Sequence, residues 1–169
     1  MISQSILVAV DSLIFTEIAS QLHILLIKRC IEPYKDMRAI PGVFVLEDEL
    51  LEDAAKRGLE RETNLKNAYM EQLYSFDGLD RDPRGRVISC AYMALMNNDL
   101  ISIRAGSDAS LAQLFPINAL PPLAFDHAKI IAYALKRLSS KILYTDLAKF
   151  LLPMQFTLRQ LQDVYESIL

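Results

Sequence analysis

The sequence predicts an α/β fold in which a mixed sheet lies between helices, an α/β/α sandwich. Three observations carry that expectation. Two apolar, β-branched runs open the chain; a helical apolar stripe around 50–65 is followed by two long strand-like runs; and beyond Pro121 and Pro122 the apolar period turns helical again. With 169 residues and 52% hydrophobic content, the chain can bury one ample core.

Ile6 to Phe15 (ILVAVDSLIF) predicts the first strand, broken by Asp11 and Ser12. Leu22 to Lys28 (LHILLIK) predicts the second, near enough in sequence for a hairpin. A loop is expected from Glu32 to Pro41 and a short strand from Val43 to Val45. A helix should run from about Glu49 to Thr63, burying Leu50, Leu51, Ala54, Ala55 and Leu59, with Leu65 at its end. Gly58 in its interior costs on the order of 1 kcal/mol relative to Ala, and Asn64 can take the left-handed cap usually given to glycine. Tyr69 to Phe76 and Arg86 to Met96 predict long strands joined by a polar loop, and Leu114 to Ile117 one more short strand. Tyr69, Tyr74, Phe76 and Tyr92 are expected to fill the core.

Asp126 suits an N-cap for a helix presenting Ile130, Ile131, Ala134, Leu135 and Leu138 on one face. Finally, Thr157-Leu158-Arg159-Gln160 has capping-box spacing. The stripe behind it (Leu158, Leu161, Val164, Tyr165, Ile168) runs into Leu169, so its packing partner is expected in a missing segment or a neighbouring subunit.

A net charge of −3 and pI of about 5.4 argue against this chain wrapping nucleic acid by itself. No apolar run is long enough for a bilayer span, and ISQSILVAVD carries no secretory signal, so a cytoplasmic protein with no membrane partner is expected. Cys30 and Cys90 lack metal-ligand spacing and are expected to be buried free thiols. His23 and His127 are too few and too far apart to suggest a metal site by spacing.

Residues 41–65, PGVFVLEDELLEDAAKRGLERETNL, resemble a Nudix box that has lost metal-binding carboxylates. Glu49, Arg57, Leu59, Glu62 and Leu65 match that pattern. Val43 stands at its first glycine, Gly58 and Arg61 at two glutamates, and Asn64 at its last glycine. Positions 58, 61 and 62 share a helix face. That face goes from a formal charge of about −3 to about 0 by counting ionised side chains, and Mg²⁺ wants carboxylate oxygens there. Glu62 alone is a weak metal ligand, and Arg61 beside it repels a cation. No intact catalytic set is left, with Glu62, Arg57 and Glu49 as residual candidates.

The resemblance extends over IKRCIEPYK (27–35), the box, YMEQLYSF (69–76), DRDPRGRVIS (80–89), FPINALPPLAFDHAKII (115–131) and FTLRQLQDVYESIL (156–169). These blocks are similar to a Nudix subgroup in which a domain of the ADP-ribose pyrophosphatase type precedes a winged helix, members of which regulate NAD metabolism. The resemblance implies a Nudix domain over residues 1–140, a linker over 141–155, and the first helix of a truncated winged-helix module over 156–169. It also implies an ADP-ribose-like ligand, a homodimer, and DNA binding only through a missing C-terminal part. Asp36 and Arg38 depart from the glycine and tryptophan of that family, which affects the loop before the box.

Arginine forks suit phosphate. Arg84 and Arg86, with neighbouring Arg81, are therefore candidate pyrophosphate contacts. Arg61 and Arg57 could neutralise a pyrophosphate where an active enzyme uses Mg²⁺, so binding would need no cofactor, although Arg57 is equally suited to pairing with a local carboxylate. His127, at a helix start, is a further ligand candidate. Lys28 and Arg29 could face ligand or solvent. The leading reading is a catalytically impaired sensor domain. The rival is a working hydrolase requiring Mg²⁺ that recruits acids from Glu47, Asp48, Glu49 or the Asp77–Asp82 loop, and a third is a dimerisation domain without a ligand.

Overall fold

Alternating burial makes β1 (Leu7–Ile18) the spine of the sheet in the computed structural model, which describes residues 5–102 and 112–169. Leu13 and Phe15 face one layer, Val10 and Ile14 the other, as the two-residue period of a strand dictates. β1 turns through Ala19 and Ser20, both at positive φ, into antiparallel β2 (Gln21–Lys28). β3 (Arg38–Ala39) pairs with β2, and β4 (Gly42–Phe44) with the first half of β1. The helix α1 (Leu51–Thr63) follows. β5 (Tyr69–Phe76) then returns antiparallel to β6 (Val87–Leu95), which runs parallel to β1 over its whole length. β7 (Ala112–Pro116) adds to β2, giving a seven-stranded mixed sheet with the main order β3-β2-β1-β6-β5.

Helices cover both faces, as the sequence predicts. Ala54, Ala55 and Leu59 of α1 pack on the Val10 and Ile14 side. On the Leu13 and Phe15 side lie α2 (His127–Lys141) and α3 (Leu158–Ile168), joined through a 3-10 turn at Leu147–Leu151. Asn64 ends α1 at φ 62, the left-handed cap anticipated for it. Thr157 and Gln160 form the complete capping box.

Several local expectations change. β1 is not broken at Asp11 and Ser12: the Ser12 N–H donates to Pro41 O at 2.8 Å, and the Asp11 side chain finds partners across the sheet. α1 starts at Leu51, not Glu49, because the Glu49 carboxylate accepts from the Leu46 N–H and from Arg57. Leu50, its N-cap, is consequently exposed. Cys90 is buried but Cys30 is exposed. Tyr74, on edge strand β5, is exposed and meets Phe76 and Tyr133 at the surface. Residues 141–155 include buried Leu147, Ala148, Leu151 and Leu152. The α3 stripe finds its partner in this same chain, with Val164 buried and Leu161, Tyr165 and Ile168 packed on the core.

Candidate functional site

Five segments converge on a cavity of about 120 Å³: β1, the end of β2, β4, the loop between β5 and β6, and the entry to α2. Asp11 and His127 form its floor, and Arg29, Arg84, Phe44 and Phe125 line its walls. Gly42 lets β4 lie directly over Asp11. A Cβ at that position would stand 2.4 Å from Asp11 Oδ1, so any larger residue there would push the Asp11 carboxylate from its place.

Beneath the cavity lies a buried charge network. The Arg81 guanidinium forks onto Asp126 at 3.1 and 2.9 Å, and its Nη2 lies 3.6 Å from Asp11 Oδ2. Ser89 Oγ–H donates to Asp11. Asp126 is therefore the N-cap residue of α2 without a side-chain capping bond; its oxygens are held by Arg81. The Ile40 N–H donates to His127 Nδ1 at 2.9 Å, which assigns the neutral tautomer with its proton on Nε2, 3.9 Å from Asp11 Oδ1. Burial pushes the His127 pKa down, against the pull of Asp11 and Asp126 and together with Arg81 and Arg29. An imidazole whose lone pair already accepts a backbone bond has none left for a general base.

On the box, the Arg57 fork grips Glu49 at 2.7 and 2.8 Å and also donates to Phe44 O. The Arg57 hydrogen bond, helped by the Leu46 N–H, holds the Glu49 carboxyl down to about 2. Arg57 and Glu49 thus brace the loop after β4 to α1 and do not line the cavity. Arg61 Nε donates to buried Glu62 at 2.9 Å, and its Nη2 lies 3.4 Å from the Gly42 carbonyl at the cavity wall. Gly58 is buried against Ser12 and Val43.

A divalent metal does not fit this donor set. Glu49 and Glu62, the two carboxylates that match the box pattern, are each paired with a guanidinium, and among the described residues no group of three His, Cys, Asp or Glu side chains converges. Hard cations need several free oxygens.

The arginine loop divides in two. Arg84 forks onto Asp82 and lies over the Phe44 and Phe125 rings at 5.3 and 5.5 Å, inside the cavity wall. Burial opposes ionisation of Asp82, but the Arg84 side chain and N–H outweigh it and hold its pKa low. Arg86 instead folds back onto the carbonyls of Asp77 and Gly78. Of the residues singled out from sequence, the structure brings Arg81, Arg84 and His127 to the cavity and Arg61 to its Gly42 wall. Glu49, Glu62, Arg57 and Arg86 are not on its lining. Sequence reading missed Asp11, Gly42, Phe44 and Phe125 and left Arg29 open; the one available signal was a charged residue in the middle of an apolar strand, Asp11.

A mixed sheet of this order with helices on both faces defines an α/β sandwich, and its cavity is lined with arginine. The model of the NUDIX domain matches residues 7–134, and the chain belongs to that family. It is 38% identical over 170 residues to the "ADPR responsive transcriptional repressor NtrR" of Acinetobacter baylyi, covering 96% of this chain and 66%, just under two thirds, of that protein. It is 43% identical over 126 residues to the "ADP-ribose pyrophosphatase" of Methanocaldococcus jannaschii, covering 73% of this chain and 70% of that one. The crystal structure of Shewanella oneidensis NrtR superposes with a TM-score of 0.88 at 36% identity, over 96% of this chain and 76% of that one. The NUDIX domain of the same protein, complexed with ADP ribose, gives 0.72 at 34% identity, over 80% and 90%. Among the described residues no helix is long and apolar enough to cross a membrane.

Proposed function

We propose that this chain is the sensor part of a transcriptional regulator and binds ADP-ribose or a related nucleoside diphosphate without a metal and without cleaving it. The observation that carries this reading is Arg61, a fixed cation paired with Glu62 on the box face and reaching the Gly42 wall. A guanidinium there offsets pyrophosphate charge and leaves no electrophilic metal or metal-bound water to drive hydrolysis. The ADP-ribose complex of the Shewanella relative and the repressor from Acinetobacter support the ligand class and the regulatory role. In this reading Arg84 contacts phosphate, Arg81 and His127 shape the floor beneath the ligand, Arg57 braces α1, and Arg86 shapes its own loop. Residues 156–169 are the first helix of a winged-helix module, and the seat of α3 on the core joins sensor to reader. The regulator is a homodimer that meets DNA through that module.

The similarity to an ADP-ribose pyrophosphatase favours a second reading, residual metal-dependent hydrolysis. Calorimetric titration with ADP-ribose in EDTA, then in Mg²⁺, with the recovered ligand assayed for AMP, separates the two. Binding in EDTA with intact ligand is the expected result. Binding only in Mg²⁺ with release of AMP would establish the hydrolase.

A further inference from the structure

The chain as a whole is acidic, but α2 (HAKIIAYALKRLSSK) carries four lysine and arginine residues and no acid. Ile130, Ile131, Ala134 and Leu138 take its buried side. At 100° per residue, Lys129, Tyr133, Lys136 and Arg137 fall within an arc of about 100° away from it, and all four are exposed. Lys141 is held by Glu71, whereas Lys129, Lys136 and Arg137 have no ion pair among the described residues. The acids nearest this face are engaged elsewhere, Glu71 by Lys141 and Asp126 by Arg81; Asp80 lines the same shallow depression as Lys129 without pairing to it. Cations near a helix C-terminus complement its dipole, but Lys129 stands in the first turn, where an acid is the stabilising choice. Helix stability therefore does not account for the set. Beside it, the Tyr133 ring packs on Tyr74 and Phe76 of β5 at centroid distances of 5.0 and 5.8 Å. The hydroxyls of Tyr74 and Tyr133 meet no partner among the described residues.

We propose that the outer face of α2, with Lys129, Lys136 and Arg137 beside Tyr133 and Tyr74, docks on the phosphate backbone of duplex DNA without reading its sequence. Charge complementarity selects the partner. Three exposed cations that no carboxylate fixes in place suit a repeating anion more than one buried acid, and tyrosine hydroxyls add contacts to phosphate and sugar. Lys129 to Lys136 spans about 10 Å along the helix, against one duplex charge per roughly 1.7 Å. The acids of α1 cover the opposite face of the sheet, beyond a Debye length of about 8 Å at physiological salt, so the net charge of −3 does not cancel the local field. α2 also shares its side of the sheet and its core with α3, so the face lies on the side from which the reader module extends. The inference rests on the regulator reading for the choice of DNA among polyanions, and it gives the sensor part a contact of its own beside that module.

The test is fluorescence anisotropy of the full chain on a labelled duplex of about 20 base pairs of arbitrary sequence, from about 20 to 150 mM NaCl. Wild type is compared with the triple variant Lys129→Gln/Lys136→Gln/Arg137→Gln and with Arg137→Gln alone, which keeps the test valid should the triple variant fail to fold; thermal unfolding verifies each. The expected slope of log K against log salt is about −2 to −3 in wild type, at about 0.9 per phosphate. It should fall by about 1 in Arg137→Gln and vanish in the triple variant, with duplex affinity at least about 10-fold weaker at low salt. Failure of wild type to bind the duplex at the lowest salt, or a triple variant that binds as wild type does, overturns the surface. Polyglutamate binding as tightly as the duplex at matched charge makes the partner an acidic protein and overturns the DNA assignment. ADP-ribose calorimetry in EDTA on the same samples separates the two readings. ADP-ribose affinity is expected to be equal in wild type and variants; no ADP-ribose binding together with intact duplex binding would sink the sensor reading and leave the surface.

Discussion

Arg81 answers two carboxylates from distant parts of the chain, Asp126 at the head of α2 and Asp11 within β1. Taking the cation away leaves both acids facing each other in a low-dielectric interior. Arg81→Met is therefore expected to lose about 3–5 kcal/mol of stability, read by urea denaturation at neutral pH; a loss below about 1 kcal/mol would place the pair in the weak class of surface bridges. His127 makes the second prediction. Its folded pKa lies below the unfolded value, so under that unfolded value, about 6.5, the unfolded chain takes up a proton that the folded chain refuses. Stability is then full above that pH and falls as acid is added. Denaturation midpoints should drop between about pH 7.5 and 5.5, and the drop should shrink in His127→Gln. This window lies above the range in which Glu49 and Asp82, both with lowered pKa values, begin to titrate.

At the scale of elements, α1 shows how a sequence pattern and a tertiary setting divide the work. Its apolar stripe and left-handed cap follow from spacing and residue type. Its start does not, because Glu49 is drawn into a bond with Arg57 eight residues on. Gly58 is a weak point of the helix, and a Cβ there would meet Ser12 Oγ at 3.6 Å and the Val43 methyls at 3.7 Å, ordinary contact distances. Gly58→Ala should accordingly raise stability by on the order of 0.5–1 kcal/mol, measured as a higher denaturation midpoint with unchanged slope. β1 is the reverse case. Asp11 and Ser12 break the apolar run, yet the strand continues through them: Ser89 donates to the Asp11 carboxylate, and the Ser12 backbone N–H donates to Pro41 O.

For the whole molecule, the cavity sits where five segments meet, so a ligand there ties together both halves of the chain. ADP-ribose in EDTA at about 100 times its Kd should add about 2.7 kcal/mol of stability and raise Tm by on the order of 5–10 °C for a chain of this size. No shift at saturating ligand would count against the sensor reading. The 3-10 turn and α3 close the α2 side of the core with Leu147, Leu151 and Val164.

Sequence by itself determined the layered α/β architecture, the family likeness and the exchange of carboxylates for Gly58 and Arg61 on the box face. The architecture follows from two- and 3.6-residue periods, and the sharing of one helix face by positions 58, 61 and 62 from a single helical turn, whereas the likeness and the exchange rest on matching blocks of sequence. Only the tertiary structure decided which arginines reach the cavity. Arg57 and Arg86 are drawn aside by nearby acceptors, Arg81 sinks into a buried network, and Arg29 and Arg84 meet on Phe125. These residues stand far apart in the chain. Their meeting depends on how the end of β2, the loop between β5 and β6 and the entry to α2 fold over Asp11, a relation that no periodicity records.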